Sequence, residues 1–283
     1  MNRREPFHLP VVTLGAGSQP PEEEKLAYLP MPQEMDTYSM PGWNLEADPE
    51  TLAATCAVLD ELRAKMSTRG EAVIELHGLP AHVTELLNQS LGHGEVSVRV
   101  SAPDVLHMQE TVFAGVWRVQ QMSRQGTVLR DTLRACTIPH EVQQSARAAA
   151  VEVFAPPLRP GMMNARAVLN ELLEHSRTYA DGQPAHVINF SLLPMTPEDL
   201  AYLYDAMQPG SVSMLSRGYG NCRITSTGLA HGWWVQYFNS MDQLILNTLE
   251  VTDVPEVVQA ADDDIRNSAE RLGEWLATMR ETQ

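Results

Sequence analysis

Sliding the chain by 116 positions lays Gly94–Val142 on Gly210–Val258 without a gap, and 12 of the 49 aligned positions are identical. Gly94-x-Val96-Ser97 falls on Gly210-x-Val212-Ser213, and Trp117-x-Val119-Gln120 on Trp233-x-Val235-Gln236. Thr132-Leu133 falls on Thr248-Leu249, and Pro139 on Pro255. Upstream, after a two-residue slip, Ile74 and Leu79-Pro80 meet Ile188 and Leu193-Pro194. A period this long exceeds a solenoid unit and suits two copies of one small domain. The length of 283 residues agrees, being that of about two ordinary domains.

The local patterns give each copy the same α+β plan: an α-β-α module, then an antiparallel β-meander and a closing helix. Asp48-Pro49 starts a helix as N-cap and first helical residue, and Leu52, Cys56, Leu59, Leu62 and Met66 recur at helical spacing. Short strands are expected over 72–76, 96–100, 107–112, 116–122 and 128–135, and a helix opens at Pro139 and runs to about Phe154. In the second copy helices are expected over 165–179 and after Thr196-Pro197-Glu198-Asp199. Strands follow near Asn221–Ser226, Trp233–Phe238 and Leu244–Val251. Asp253-x-x-Glu256 reads as a capping box for the last helix, whose stripe is Val258, Ala261, Ile265, Leu272, Leu276 and Met279.

The domain plan is then a flexible N-terminal extension over 1–45, rich in proline and methionine, and a first repeat over 46–154. A Pro-rich linker over 155–163 and a second repeat over 164–283 complete it. Net charge of −16 argues against nucleic acid or an anionic membrane surface as partner. No apolar run reaches the ~20 residues of a membrane span, so no insertion is expected. Three cysteines without a CxxC or Cys/His cluster indicate neither a disulfide framework nor a closed zinc site, and a reducing, cytoplasmic setting is expected.

The two copies differ most within Gly218–Asn239. Trp234 stands where the first copy has Arg118, Tyr237 where it has Gln121, Asn239 where it has Ser123, and Cys222 where it has Leu106. Aromatic and amide residues of this kind suit a binding surface, and Tyr219, Asn221, Cys222, Arg223, Trp234, Gln236, Tyr237 and Asn239 are the partner-binding candidates. The bland alternative is that the aromatics fill a larger core. On strand alternation Trp233, Val235 and Tyr237 share one face, and Trp234, Gln236 and Phe238 the other, so this strand is covered on both sides, by its own chain or by a partner. Cys222 reads either as a small buried residue or as an exposed thiol, activated by Arg223, that handles metal or disulfide exchange. No catalytic constellation is found: His231 and Cys222 lack a third group to orient them. Gly218-x-Gly220 lacks the strand–helix context of a dinucleotide site, so no cofactor is expected.

GYGNCRITST, WWVQYFNSMDQLILNTLEV and DVPEVVQAA resemble the HupH/HyaF/HoxQ hydrogenase-expression family, most strongly over the second copy. The resemblance implies a cytoplasmic, non-enzymatic accessory factor for [NiFe]-hydrogenase maturation. Its partners would be the iron–sulfur small-subunit precursor, before twin-arginine export, and a thioredoxin-like hydrogenase accessory protein. The alternative is a Cys222-dependent redox or iron–sulfur cluster assembly factor.

Overall fold

The computed structural model describes residues 47–66, 71–218 and 220–281, so the expected extension over 1–45 and Tyr219 lie outside the described residues. The first half contains helix α1 (Pro49–Met66), strand β1 (Ala72–Glu75), helix α2 (Ala81–Leu91), strands β2 (Val96–Val100), β3 (Val105–Glu110), β4 (Val116–Met122) and β5 (Val128–Ala135), and helix α3 (Glu141–Ala148). The second half contains α4 (Ala165–Thr178), β6 (His186–Asn189), α5 (Pro197–Met207), β7 (Pro209–Ser216), β8 (Asn221–Thr227), β9 (Gly232–Phe238) and β10 (Leu244–Val251). A 3-10 turn (Glu256–Val258) and helix α6 (Asp262–Glu281) end the chain. The class is mixed helix and antiparallel sheet.

All ten strands form one sheet in the order β1-β5-β4-β3-β2-β7-β8-β9-β10-β6. That order reads the same from either end when each first-half strand is exchanged for its second-half counterpart. The seam is the antiparallel pair β2–β7, where Val98 faces Met214, the residue 116 positions later. Val96 faces Ser216 and Val100 faces Val212 in the same register, so the seam maps onto itself under the 116-residue shift. The β4–β5 ladder pairs Trp117 with Arg134, and β9–β10 pairs Trp233 with Glu250; both ladders carry an irregularity beside the turn that joins their strands.

Capping chemistry explains where the helices begin. The Asp48 carboxylate accepts from the Thr51 N–H at 2.9 Å and from the Glu50 N–H at 3.1 Å. Thr196 and Asp199 form a reciprocal box at α5: the Thr196 hydroxyl accepts from the Asp199 N–H at 3.1 Å, and Asp199 accepts from the Thr196 N–H at 2.9 Å. Gly94 and Gly210, which the shift superposes, both sit where a side chain has no room. A Cβ at Gly94 would lie 2.2 Å from the Thr111 carbonyl oxygen, and one at Gly210 2.4 Å from the Ser226 hydroxyl.

Two expectations are corrected. The helix after Pro139 ends at Ala148 rather than near Phe154, because the Val151 N–H leaves the helical ladder and donates to the Gly228 carbonyl at 2.9 Å. Asp253 does not cap the last helix. Its carboxylate accepts from Gln143 at 2.6 Å, Arg147 at 2.9 Å and the Gly182 N–H at 2.8 Å, and α6 begins only at Asp262. Val258 accordingly belongs to the core under the sheet centre, whereas Leu272, Leu276 and Met279 pack with α1 and α2. The chain's final helix thus completes the core of the first half.

Three cores result. One sheet face, under α3 and the 3-10 turn, buries Val98, Trp117, Met214, Ile224, Trp233 and Val235. Helices α1, α2 and α6 enclose Leu59, Leu87, Val116 and Leu133. Helices α4 and α5 enclose Leu169, Leu203, Trp234 and Leu249. Fully burying side chains of this size stabilises by about 1.5–3 kcal/mol each before the ordering cost is counted.

Candidate functional site

Strands β8 and β9 bring most of the candidate residues to one end of the second half. Asn221 pairs with Phe238, Cys222 with Tyr237 and Arg223 with Gln236. Asn239 opens the turn that follows. Its side-chain oxygen accepts from the Met241 and Gln243 N–H groups, both at 2.9 Å, and its amide donates to Gln243 at 3.1 Å. Asn221 donates to Asp242 at 3.2 Å across the same turn. These amides therefore shape the loop end, leaving Met241 exposed at its tip.

Cys222, Trp234 and Gln236 lie inside the protein, at 3%, 7% and 7% exposure. Trp234 packs against Phe190 and Tyr204, with ring centroids 5.9 and 6.4 Å away, and its indole N–H donates to Asn247 Oδ1 at 2.6 Å. Gln236 reaches the same oxygen at 3.5 Å. The alternation of β9 explains this placement: Trp233 and Val235 enter the core beneath α3, Trp234 the core beneath α5, and neither sheet face is bare here. Asn221, Arg223, Tyr237 and Asn239 are half-buried and keep part of their surface in water.

Arg223 does not activate the thiol beside it. Successive strand residues point to opposite faces, and the Arg223 guanidinium lies 4.3 Å over the Phe238 ring and 3.9 Å from Asp242. Burial pushes the Cys222 thiol up to about 12, against a hydrogen bond with Tyr237 that favours the thiolate. Cys222 sits in the same core as Leu106, its first-half counterpart. Among the described residues three clusters combine His and carboxylates closely enough for a metal: Glu171–His175–His186, Glu71–His140–Glu141 and Asp181–His231–Asp253. None includes Cys222. The second cluster already holds the Arg134 guanidinium at 2.5 Å from Glu71, and the third holds Arg147 at 2.9 Å from Asp253, so both are ion-pair networks.

A cavity of about 110 Å³ lies instead in the first half, between α2 and strands β2–β4, with Asn88, His93, Arg99, His107, Gln109 and Arg118 among its walls. The candidate residues above contain none of these. The available signal was that Trp234 falls on Arg118 under the 116-residue shift.

Comparison with known proteins adds the family. The model of the HupH hydrogenase expression protein, C-terminal conserved region, matches residues 52–151 and 162–279. The chain is 42% identical over 281 residues to the hydrogenase expression/formation protein HoxQ of Cupriavidus necator, covering 95% of this chain and 97% of that one. It is 41% identical over 281 residues to the hydrogenase expression/formation protein HupH of Rhodobacter capsulatus, covering 97% and 98% of the two chains. Among solved structures, the hydrogenase expression protein HupH from Thiobacillus denitrificans is 29% identical, covering 43% of this chain and 99% of that one, with a TM-score of 0.39. By the span of the family match and by identity along nearly its whole length, the chain belongs to the HupH hydrogenase expression protein family.

Proposed function

We propose that this protein is a cytoplasmic, non-enzymatic maturation factor for [NiFe]-hydrogenase that binds the iron–sulfur small-subunit precursor before twin-arginine export, alongside a thioredoxin-like accessory protein. The observation that carries this reading is full-length similarity to proteins named for hydrogenase expression and formation. A net charge of −16 supports it, since an acidic surface complements a basic export signal and steers its approach. Among the described residues no helix is long and apolar enough to cross a membrane. The buried, strongly protonated Cys222 favours a packing role over redox or cluster chemistry.

The chain is further proposed to be two tandem copies of one module, joined through residues 155–163. The palindromic strand order, the self-mapping β2–β7 register and a family match in two segments support that reading. The precursor-binding surface is placed at the β8–β9 end, on the partly exposed Asn221, Arg223, Tyr237 and Asn239. Cys222, Trp234 and Gln236 support it from within, and Tyr219 belongs to the same stretch.

Affinity purification of the tagged protein from hydrogenase-expressing cells tests this. The wild-type protein and Cys222→Ser should both recover the small-subunit precursor, whereas Arg223→Ala with Tyr237→Ala should recover several-fold less while keeping a cooperative thermal transition. Absence of the precursor from the wild-type eluate refutes the reading; loss with Cys222→Ser alone favours the thiol-dependent alternative.

A further inference from the structure

Of the three His–carboxylate clusters, Glu171–His175–His186 differs from the others in its charge. Arg134 and Arg147 bridge the other two, whereas among the described residues no lysine or arginine pairs with a member of this one. Its geometry follows from the local pattern. Val168 and Leu172 seat α4 in the core, so Glu171 and His175, four residues apart, share an adjoining row of the helix. The Ser176 hydroxyl donates to the Ala230 carbonyl at 2.7 Å and fixes that last turn. Strand β6 ends the sheet beside β10, and its alternation turns His186 to the face of Ile188, which is buried with α4. Helix and edge strand thus aim three donors at one point.

The three ligand atoms lie within 4.8 Å of one another. Glu171 Oε1 and His186 Nε2 are hydrogen-bonded at 2.9 Å, and the His175 and His186 rings stack with centroids 3.4 Å apart and planes 8° from parallel. Donors around a tetrahedral ion with bonds of about 2.0–2.2 Å stand about 3.4 Å apart, so side-chain rotation alone completes the set. An imidazole nitrogen binds a metal in the plane of its ring, so the two rings fan open as they engage. The Glu171 and His186 side chains, 50% and 28% exposed, have room to turn. His175 lies in the last turn of α4, where the partial negative charge of the helix end favours a cation. The first half offers no donor at the matching strand position. Ala72 pairs with Ala135 as His186 pairs with Val251, and Val251 follows Ala135 by 116 residues.

We infer that Glu171, His175 and His186 form a binding site for one divalent transition-metal ion of the zinc class. Two imidazoles and one carboxylate make a nitrogen-and-oxygen donor set that suits Zn²⁺ over Ca²⁺ or Mg²⁺, whose sites are built from oxygen. Three protein ligands leave a fourth position for water or for a donor from outside the chain. The bound ion clips the edge strand β6 to the last turn of α4. This site lies on other elements than β8 and β9 and is independent of the surface assigned to the precursor.

Equilibrium dialysis of the untagged full chain against Zn²⁺, with Mg²⁺ and Ca²⁺ in excess, tests this. One Zn²⁺ should bind saturably per chain, and Co²⁺ in its place should show the visible absorption of a four- or five-coordinate ion. His175→Ala and His186→Ala should each weaken Zn²⁺ binding more than about 100-fold, beyond the 10- to 100-fold cost of losing a partner that merely orients a ligand. Saturating Zn²⁺ should raise the melting temperature of the wild type but not of His186→Ala. Glu171→Gln should also bind more weakly while melting like wild type without metal, which secures the comparison if a histidine variant folds poorly. His140→Ala, in an arginine-bridged cluster, should bind as wild type does. The inference is overturned if Zn²⁺ does not saturate at one per chain, or if excess Mg²⁺ or Ca²⁺ competes it away. Wild-type binding by both Glu171→Gln and His186→Ala, or loss of binding with His140→Ala, would also overturn it.

Discussion

Glu110 offers the sharpest test of the packing described above. It is 8% exposed at the end of β3, and its Oε1 accepts from the Gly115 N–H at 3.2 Å. A Cβ on Gly115 would meet Ile265 of α6 at 2.4 Å, so the last helix closes over this turn. Burial pushes the Glu110 carboxyl up to about 7, with Glu95 and Asp264 adding repulsion and the Gly115 N–H opposing them. In the unfolded chain the same carboxyl titrates near 4.5. Between these two values the folded state keeps a proton that the unfolded state has lost, so stability falls as pH rises and levels off above about 7. A separation of roughly 2.5 units corresponds to about 3 kcal/mol. Glu110→Gln stays neutral and keeps the acceptor for Gly115. Urea unfolding of both proteins at about pH 4.5 and about pH 8 should show the variant gaining about 3 kcal/mol over wild type between the two. A difference that does not change with pH would mean that the carboxylate is ionised within the fold, and the sealed turn would have to be abandoned.

Two further outcomes are expected. Asp199 is fully buried, and its Oδ1 accepts from the N–H groups of Met163, Asn164 and Ala165 at 2.9, 3.1 and 2.9 Å. Burial acts to raise its carboxyl, but these bonds and those from Thr196 together hold it below 3.8, so its stabilisation is present above that value and lost as pH falls. Asp199→Ala should cost about 2–4 kcal/mol in urea unfolding at neutral pH, with early loss of α4 protection in hydrogen exchange. Cys222, with its thiol pushed up to about 12 by burial, should resist iodoacetamide at about pH 8 in the folded protein and react at the normal rate in denaturant.

Most of the architecture was legible because short-range chemistry dictated it. The Asp48-Pro49 cap, the Thr196–Asp199 box and the alternation of Val96, Val98 and Val100 place their elements without help from distant residues. The 116-residue shift further brought together strands that meet in space only through the β2–β7 seam. What remained out of reach depended on tertiary partners. Asp253 has the spacing of a cap, but the Arg147, Gln143 and Gly182 donors that claim it come from sequence-distant segments. Trp234 looks like a binding residue from its type and its divergence. Its indole is nevertheless satisfied by Asn247 under a helix that no local pattern places above it. The first-half cavity was invisible for the complementary reason: Asn88, Arg99 and Arg118 are individually ordinary polar residues, and only the sheet gathers them.

The position of α6 has a consequence for how the molecule is made. Leu272, Leu276 and Met279 of this 20-residue helix cover α1, which is translated first. While the ribosome is still working, Leu59, Leu62 and Leu87 must wait with part of their apolar surface unsealed, even though every strand of their own half has already emerged. The first half's strands, which end with β5 at Ala135, are thus made long before α6, which begins at Asp262, closes over them, so truncation near the carboxyl end would open the core of the first half.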